Sequence, residues 1–420
     1  MGQAIYLRGG AAEVGNLQGE LQKVFLQERA ARYEKMMHAA GVSKSTFEPR
    51  LAAFENCLLA AAPHWLEEFQ AVANAAGLEL WQLLLWNLDL PEFKKVNYPA
   101  APLTLKNLET ARAGDDGIVN PYEAQGTDPA MGEGECTTFF ALGDSTTAGE
   151  TLLHKNRDSR DELQNIYIKH IDGFRRFVGS SDLGNLGTAH LHSEELFAGA
   201  NNTGSPLIEK QYQENALNDC HILRYIGENC AALDEVVPCL EELQSRQLIG
   251  GGGFGLGMIL ILADAARGLI IEATSRQLHH QWFEEDGITV RANHFEFPEM
   301  QAYCNGVLPG SETRAERARQ LLEPLDGLMD IATCGEISRD RENAPHAICR
   351  NPSDGLGTVT VSTSTSTISA RDERRCQTHF RNGHPGYCPP VILSPGDIVS
   401  DSDLASGAHC EHWRGFRGWI

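Results

Sequence analysis

Apolar residues recur at helical spacing through roughly the first ninety positions. Leu17, Leu21, Val24 and Phe25 mark one face of a first helix, with Glu, Gln and Lys on the other. Pro63 opens a second helical stretch in which Trp65, Phe69, Val72 and Ala76 recur, and Gly77 stands where a left-handed C-cap is expected. A third apolar segment covers 81–88. The periodicity then stops. From 97 to 134 the chain is rich in Pro, Gly, Ala and Asp, which predicts an irregular connector of the length that is often functional or processed.

After the connector the pattern turns to strands. Residues 137–142 and 151–155, separated by Gly143-Asp144-Ser145 and Gly149, read as a hairpin. Further strands are expected at 166–170, 174–178 and 196–200, helices over 216–230 and 234–245, and a second hairpin from 258–263 to 269–273. Thr313-Arg314-Ala315-Glu316 has capping-box form and predicts a helix opening there and running through Leu322. Residues 358–369 alternate and are rich in Ser and Thr, which predicts an edge or partly exposed strand. This order lacks regular βαβ alternation and predicts a layered α+β fold.

Composition narrows the function classes. The 420 residues are 42% hydrophobic and 22% charged, enough for a large core in a two-part chain or one large sandwich. The net charge of −22 argues against nucleic acid and anionic membranes as partners. It weakly favours a neutral or cationic substrate. No apolar run approaches the roughly 18–20 residues of a membrane span. The N-terminus lacks the features of a signal peptide, and eleven cysteines without a repeating framework suit reduced thiols, so a cytoplasmic location is expected.

The candidate chemistry begins at Cys136, where the connector meets the first strand in Glu135-Cys136-Thr137-Thr138-Phe139-Phe140. By itself such a thiol reads as a small buried hydrophobe. The hairpin changes this, because it brings Lys155-Asn156-Arg157-Asp158 beside the start of that strand. The arrangement resembles the cysteine N-terminal-nucleophile hydrolases of the acyl-coenzyme A:6-aminopenicillanic acid acyltransferase branch. Further segments carry the resemblance in the family's order: Asn74-Ala75-Ala76-Gly77, Gly199-Ala200-Asn201-Asn202-Thr203-Gly204, Leu262-Ala263-Asp264 with Ile271-Glu272-Ala273, Ala292-Asn293-His294, 311–317, and Ile348-Cys349-Arg350 with Gly357-Thr358-Val359.

The resemblance implies a four-layer αββα sandwich with an N-terminal helical propeptide segment. It divides the chain into a helical segment 1–97, a connector 98–135 ending at the cut, a catalytic core 136–390 and a tail 391–420. It implies self-cleavage between Glu135 and Cys136, leaving fragments of 135 and 285 residues, the smaller remaining bound as a small subunit. Cys136 then supplies the nucleophilic thiol and, through its freed α-amino group, the base. Asp158 matches the carboxylate that holds the new ammonium, and Asn293 the side-chain donor to the oxyanion. Asn201 matches a second polar group, Asn156 a structural tie, and Arg314 an arginine near the nucleophile, with Arg317 competing for that match.

Lys155 stands where the bile-salt branch has arginine, which favours the acyltransferase branch because lysine lacks the planar fork. Glu135 stands where several relatives have glycine. The expected activity is hydrolysis of a small N-acyl or β-aminoacyl amide, with no cofactor and no metal. The alternatives are acyl transfer from a coenzyme A thioester to an amine, for which Arg371, Arg374 and Arg375 could bind phosphate, and a non-catalytic binding protein keeping the fold. The glycine run 250–257 leads into a strand and does not read as a phosphate loop, and Cys376, Cys388 and His409-Cys410-Glu411-His412 fit no common zinc spacing.

Overall fold

The computed structural model describes residues 5–88, 136–159, 164–182, 184–208, 211–252, 255–284, 287–351, 354, 358–369, 377–382 and 391–393. The connector 98–135 with Glu135, the arginines 371–375, Cys376, Cys388 and the tail beyond 393 lie outside the described residues. Among the described residues, no helix is long and apolar enough to cross a membrane.

The N-terminal segment opens with a strand, β1 (Ile5–Gly9), which the helical reading of this region did not anticipate. Four helices follow: α1 (Ala11–Ala40), α2 (Lys44–Ala61), α3 (Pro63–Ala76) and α4 (Leu80–Leu85). Pro63 occupies the first turn of α3, and Gly77 caps it at φ 74, its N–H donating to the carbonyls of Ala73 and Asn74. Leu17 and Leu21 pack against the core as their spacing suggests, but the most buried face of α1 is turned away from Val24. Val24 is 53% exposed, while Gly15, Gln18, Gly19 and Gln22 are buried. The glycines explain the rotation. A Cβ on Gly15 would lie 2.1 Å from the Glu68 carbonyl, and one on Gly19 2.5 Å from that of Val72, so α1 and α3 touch backbone to backbone.

Two sheets follow. The larger has the order β1, β4 (Gln164–Ile171), β5 (Phe177–Asp182), β6 (His190–His192), β7 (Phe197–Pro206), β10 (Leu256–Ala263), β11 (Gly268–Ala273), β12 (Leu278–Phe283). The smaller runs β13 (Gly287–Arg291), β2 (Cys136–Leu142), β3 (Thr151–Ser159), β14 (Val359–Ile368), β15 (Gln377–Asn382), β16 (Val391–Leu393). A short pair, β8 (Leu217–Asn218) with β9 (Ile249–Gly251), stands apart. Pairing is antiparallel except for β1 with β4 and β8 with β9, as an α+β fold requires. The strand 358–369 proves central. It lies between β3 and β15 and is buried almost throughout, its Ser and Thr hydroxyls meeting buried polar side chains such as His190, His154 and Asp158.

The sheets face each other through Phe140, Leu142 and Leu153 on one side and Phe197, Ile259, Ile261 and Ile270 on the other. The outer face of the larger sheet packs against α1 to α4 and against α5 (Asp219–Asn229) and α6 (Val236–Ser245). After α7 (Pro298–Gln301) come α8 (Pro309–Leu322) and α9 (Ile331–Ile337), which cover the smaller sheet through Ala318, Leu322, Cys334 and Ile337 against Phe139, Ala141 and Leu152. The helix α8 begins four residues before the predicted capping box. Pro309 sits in its first turn, and the Thr313 hydroxyl donates back to the Pro309 carbonyl at 2.8 Å instead of capping.

A buried ionic cluster joins the N-terminal helices to the rest. Glu68 of α3 accepts from Lys169 of β4 at 2.5 Å and from Arg224 of α5, and Arg224 pairs with Glu228 at 2.7 Å. Glu228 in turn accepts from Trp65 at 2.7 Å and contacts His64 at 2.8 Å. Burial opposes the charge on both carboxylates most strongly, but Arg224 together with Lys169 holds Glu68 below the ordinary range, and Arg224 together with His64 holds Glu228 at about 2.

Candidate active site

The expected hairpin is present, and its register fixes the site. Cys136 pairs with Arg157, Thr137 with Asn156 and Thr138 with Lys155. Side chains on paired strands alternate between faces, so Cys136, Thr138, Lys155 and Arg157 share one face and Thr137, Asn156 and Asp158 the other. The contacts agree. Lys155 Nζ donates to the Ala200 carbonyl at 2.7 Å and to Asn201 Oδ1 at 2.6 Å, and Thr138 donates to the same Oδ1 at 2.9 Å, all across the gap to β7. On the opposite face Asn156 donates to the carbonyls of Ser338 and Ile348 at 3.0 Å each, tying β3 to the segment around α9.

Cys136 is buried, and its backbone N–H donates to Asn293 Oδ1 at 2.5 Å. Arg314 of α8 donates to that same oxygen at 2.7 Å. Asn293 is held by its own backbone, whose N–H donates to Ser311 Oγ at 2.7 Å, and by its Nδ2, which donates to the Asn202 carbonyl at 2.7 Å. Asn293 therefore turns its acceptor, not its donor, toward the Cys136 backbone. Arg317 is one turn further along α8 and pairs with Asp340 at 2.7 Å. Of the two competing arginines, the structure brings Arg314 to Cys136.

Asp158 is buried. It accepts from Thr360 Oγ1 at 2.6 Å, while Arg350 Nε stands 3.6 Å from its other oxygen. Burial pushes its carboxyl up to about 7, against the pull of Arg314, the Thr360 bond, Lys155 and Arg157. Burial also pushes the Arg314 guanidinium down, with Asp158 and Cys136 opposing that shift. Asn201 has no group to spare. Its Oδ1 takes Lys155 and Thr138, and its Nδ2 donates to the carbonyls of Arg291 and Ala292. Its position is that of a brace between the sheets.

Two further expected motifs prove architectural. Asp264 closes the turn between β10 and β11 by accepting the N–H groups of Ala266 and Arg267 at 2.8 and 2.7 Å. Glu272 accepts the N–H groups of Glu296 and Phe297 and thereby orients the segment that carries Asn293. Burial holds it up at about 7, against these bonds and Arg291. Arg157, Thr360, Ser311 and Asn202 were absent from the sequence-based set. Of these, Arg157 was legible in principle, as the residue between Asn156 and Asp158 on a strand whose faces alternate.

A buried thiol opening a central strand, with an amide side chain on its backbone N–H and an arginine holding that amide, equips a mixed α and β fold for acyl-group chemistry. Residues 206–381 match the model of the acyl-coenzyme A:6-aminopenicillanic acid acyl-transferase family, in agreement with the motif resemblance. Acyl transfer or acyl hydrolysis is the activity this match implies. The matched region contains Asn293 and Arg314 and begins after Cys136, Lys155, Asp158 and Asn201. No curated protein matches the chain.

Proposed function

We propose that the protein is a self-processing amidohydrolase with the four-layer αββα architecture of the N-terminal-nucleophile hydrolases. The observation that carries this reading is the convergence of the Cys136 backbone N–H and the Arg314 guanidinium on one acceptor, Asn293 Oδ1. That backbone nitrogen is the atom a cut at Glu135–Cys136 would convert from an amide into a free amine. Helices against both outer faces of two facing sheets support the layering.

In the first reaction the Cys136 sulfur attacks the Glu135 carbonyl carbon, and the peptide C–N bond breaks as the nitrogen takes a proton. Water then hydrolyses the thioester, leaving Glu135 as a carboxylate and Cys136 with a free amine. In turnover that amine takes the thiol proton, sulfur attacks the substrate amide, and the proton passes to the departing amine. Water resolves the acyl-enzyme. Asn293 Oδ1 is suited to hold the amine of Cys136. Its role as oxyanion donor falls to Nδ2, which the uncut chain commits to Asn202. Asp158 lies on the face of β3 turned away from the thiol, which suits a charge partner for the ammonium rather than a base on sulfur. The N-terminal fragment stays bound through β1 and the Glu68 cluster. Acyl transfer from a coenzyme A thioester to an amine would use the same acyl-enzyme.

Intact mass of wild type beside Cys136→Ala tests this. Fragments of 135 and 285 residues from wild type, with an uncut variant, are expected. A single 420-residue species whose Cys136 reacts with iodoacetamide like an ordinary thiol would overturn it.

A further inference from the structure

Resting on the reading of Cys136 as the acyl-forming thiol, we propose that Arg157, clamped by Asp182, sets the specificity of the site by receiving a carboxylate carried by the amide substrate close to its scissile carbonyl.

Placement comes first. Arg157 is the direct cross-strand partner of Cys136 and projects to the same face. Its guanidinium is fixed. Nη1 and Nη2 donate to the two oxygens of Asp182 at 2.8 Å each, and Nη1 also donates to Gln164 Oε1 at 2.7 Å. Nε–H takes no part in these bonds. Both side chains of the pair keep 13% of their surface exposed, so the clamp is not sealed in the core. A preorganised planar donor of this kind recognises carboxylates, and holding it in place beforehand removes much of the ordering cost.

The local charge points the same way. Asp182 is held ionised by Arg157 first and by Arg29 after it. Burial pushes Asp219 up to about 6, with Lys155 and Arg157 among the groups opposing it, and Asp158 up to about 7. Near neutral pH, Asp182 is ionised, Asp219 mostly so and Asp158 about half, so these carboxylates offset much but not all of the charge of Lys155, Arg157 and Arg29. This patch is positive in a chain of net charge −22. Charges beyond about 8 Å are largely screened in physiological salt, so the patch decides what is attracted and the acidic surface does not. The neutral or cationic substrate favoured by bulk charge gives way to an anionic one.

The test uses purified, self-cut protein and two matched pairs of amides. N-butyrylglycine against N-butyrylglycinamide places the carboxylate on the amine side, and N-methylsuccinamate against N-methylbutyramide places it on the acyl side. For one pair, kcat/KM is expected to favour the carboxylate by about tenfold or more, mostly through KM. Arg157→Gln should bring that ratio to about one, Arg157→Lys should keep part of it, and Asp182→Asn should lower it severalfold. Self-cleavage of each variant reports that it folds. Ratios near one in wild type for both pairs would overturn the inference. So would an Arg157→Gln variant that slows both members of a pair in parallel, the mark of a group serving the thiol alone. An acyl adduct on Cys136, seen by mass, separates the two levels. Its presence with no carboxylate preference removes only the inference, and its absence with every amide removes the reading beneath it as well.

Discussion

Arg314 and the backbone of Cys136 meet on one atom: Oδ1 of Asn293 accepts the Arg314 guanidinium at 2.7 Å and the Cys136 N–H at 2.5 Å. An arginine on the second helical layer thus fixes the orientation of an amide side chain at the start of β2, while Arg317 is spent on Asp340 at the surface side of the same helix.

Arg314→Ala should therefore slow self-cleavage by about tenfold or more, since a hydrogen bond between a buried charge and a neutral acceptor contributes about 1.5–3 kcal/mol. Arg317→Ala should leave the cleavage rate within about twofold of wild type, because its partly exposed pair with Asp340 involves neither Asn293 nor Cys136. Time-resolved intact mass measures both. Equal slowing by the two substitutions would remove Arg314 from the site.

The buried Asp158 carboxyl predicts a pH dependence of stability. Its pKa stands at about 7 against an ordinary 3.8, so between those values the folded chain binds more protons than the unfolded one. Stability from this group is full below about 4 and declines as pH rises to about 7. In Cys136→Ala, which stays uncut, Asp158→Asn should flatten that decline. Thermal unfolding from pH 4 to 8 measures it, and parallel curves with and without the carboxyl would refute the assignment.

The buried histidines act with the opposite sign. His192, bonded to Thr378, and His221, bonded to Asn218 and Asn87, are pushed down to about 3 by burial. Below 6.5 the unfolded chain takes protons that these rings refuse, so their contribution is lost as pH falls toward 3. His192→Gln should be less stable than wild type at pH 7, with the difference in Tm narrowing toward pH 4. A difference that widens in acid would contradict this.

Gly15 tests the union of the N-terminal helices with each other. Gly15→Ala places a methyl 2.1 Å from the Glu68 carbonyl and should cost about 1–3 kcal/mol, although alanine favours helix more than glycine does. The shift also disturbs Glu68, the acceptor of Lys169 and Arg224. Denaturant unfolding should show the loss. A stabilised variant would mean that α1 and α3 stand further apart.

The hairpin and the site residues it carries were legible because strand alternation and turn chemistry are local. So was Gly77, whose φ of 74 a glycine adopts without penalty. What failed was non-local. Leu17 and Leu21 do pack against the core, but Val24 looked like part of the inner face of α1 until the glycine groove of Gly15 and Gly19 met α3. The hydroxyls of 358–369 looked solvated until β14 was seen buried beside β3, with His190, His154 and Asp158 as their partners. Arg314 and Arg317 have the same local sequence character, and only the tertiary positions of Asn293 and Asp340 separate them.

The parallel pairing of β1 with β4 has one more implication. Residues 5–9 form the short end strand that covers β4 in a sheet whose other strands all follow the proposed cut. If the segment before the cut were lost, β4 would present a row of unpaired N–H and C=O groups to any passing chain, beside the apolar surface vacated by α1 and α3. An edge bared in that way templates aggregation. Loss of the small fragment would therefore appear first as precipitation of the large one, before any soluble, inactive remnant could accumulate.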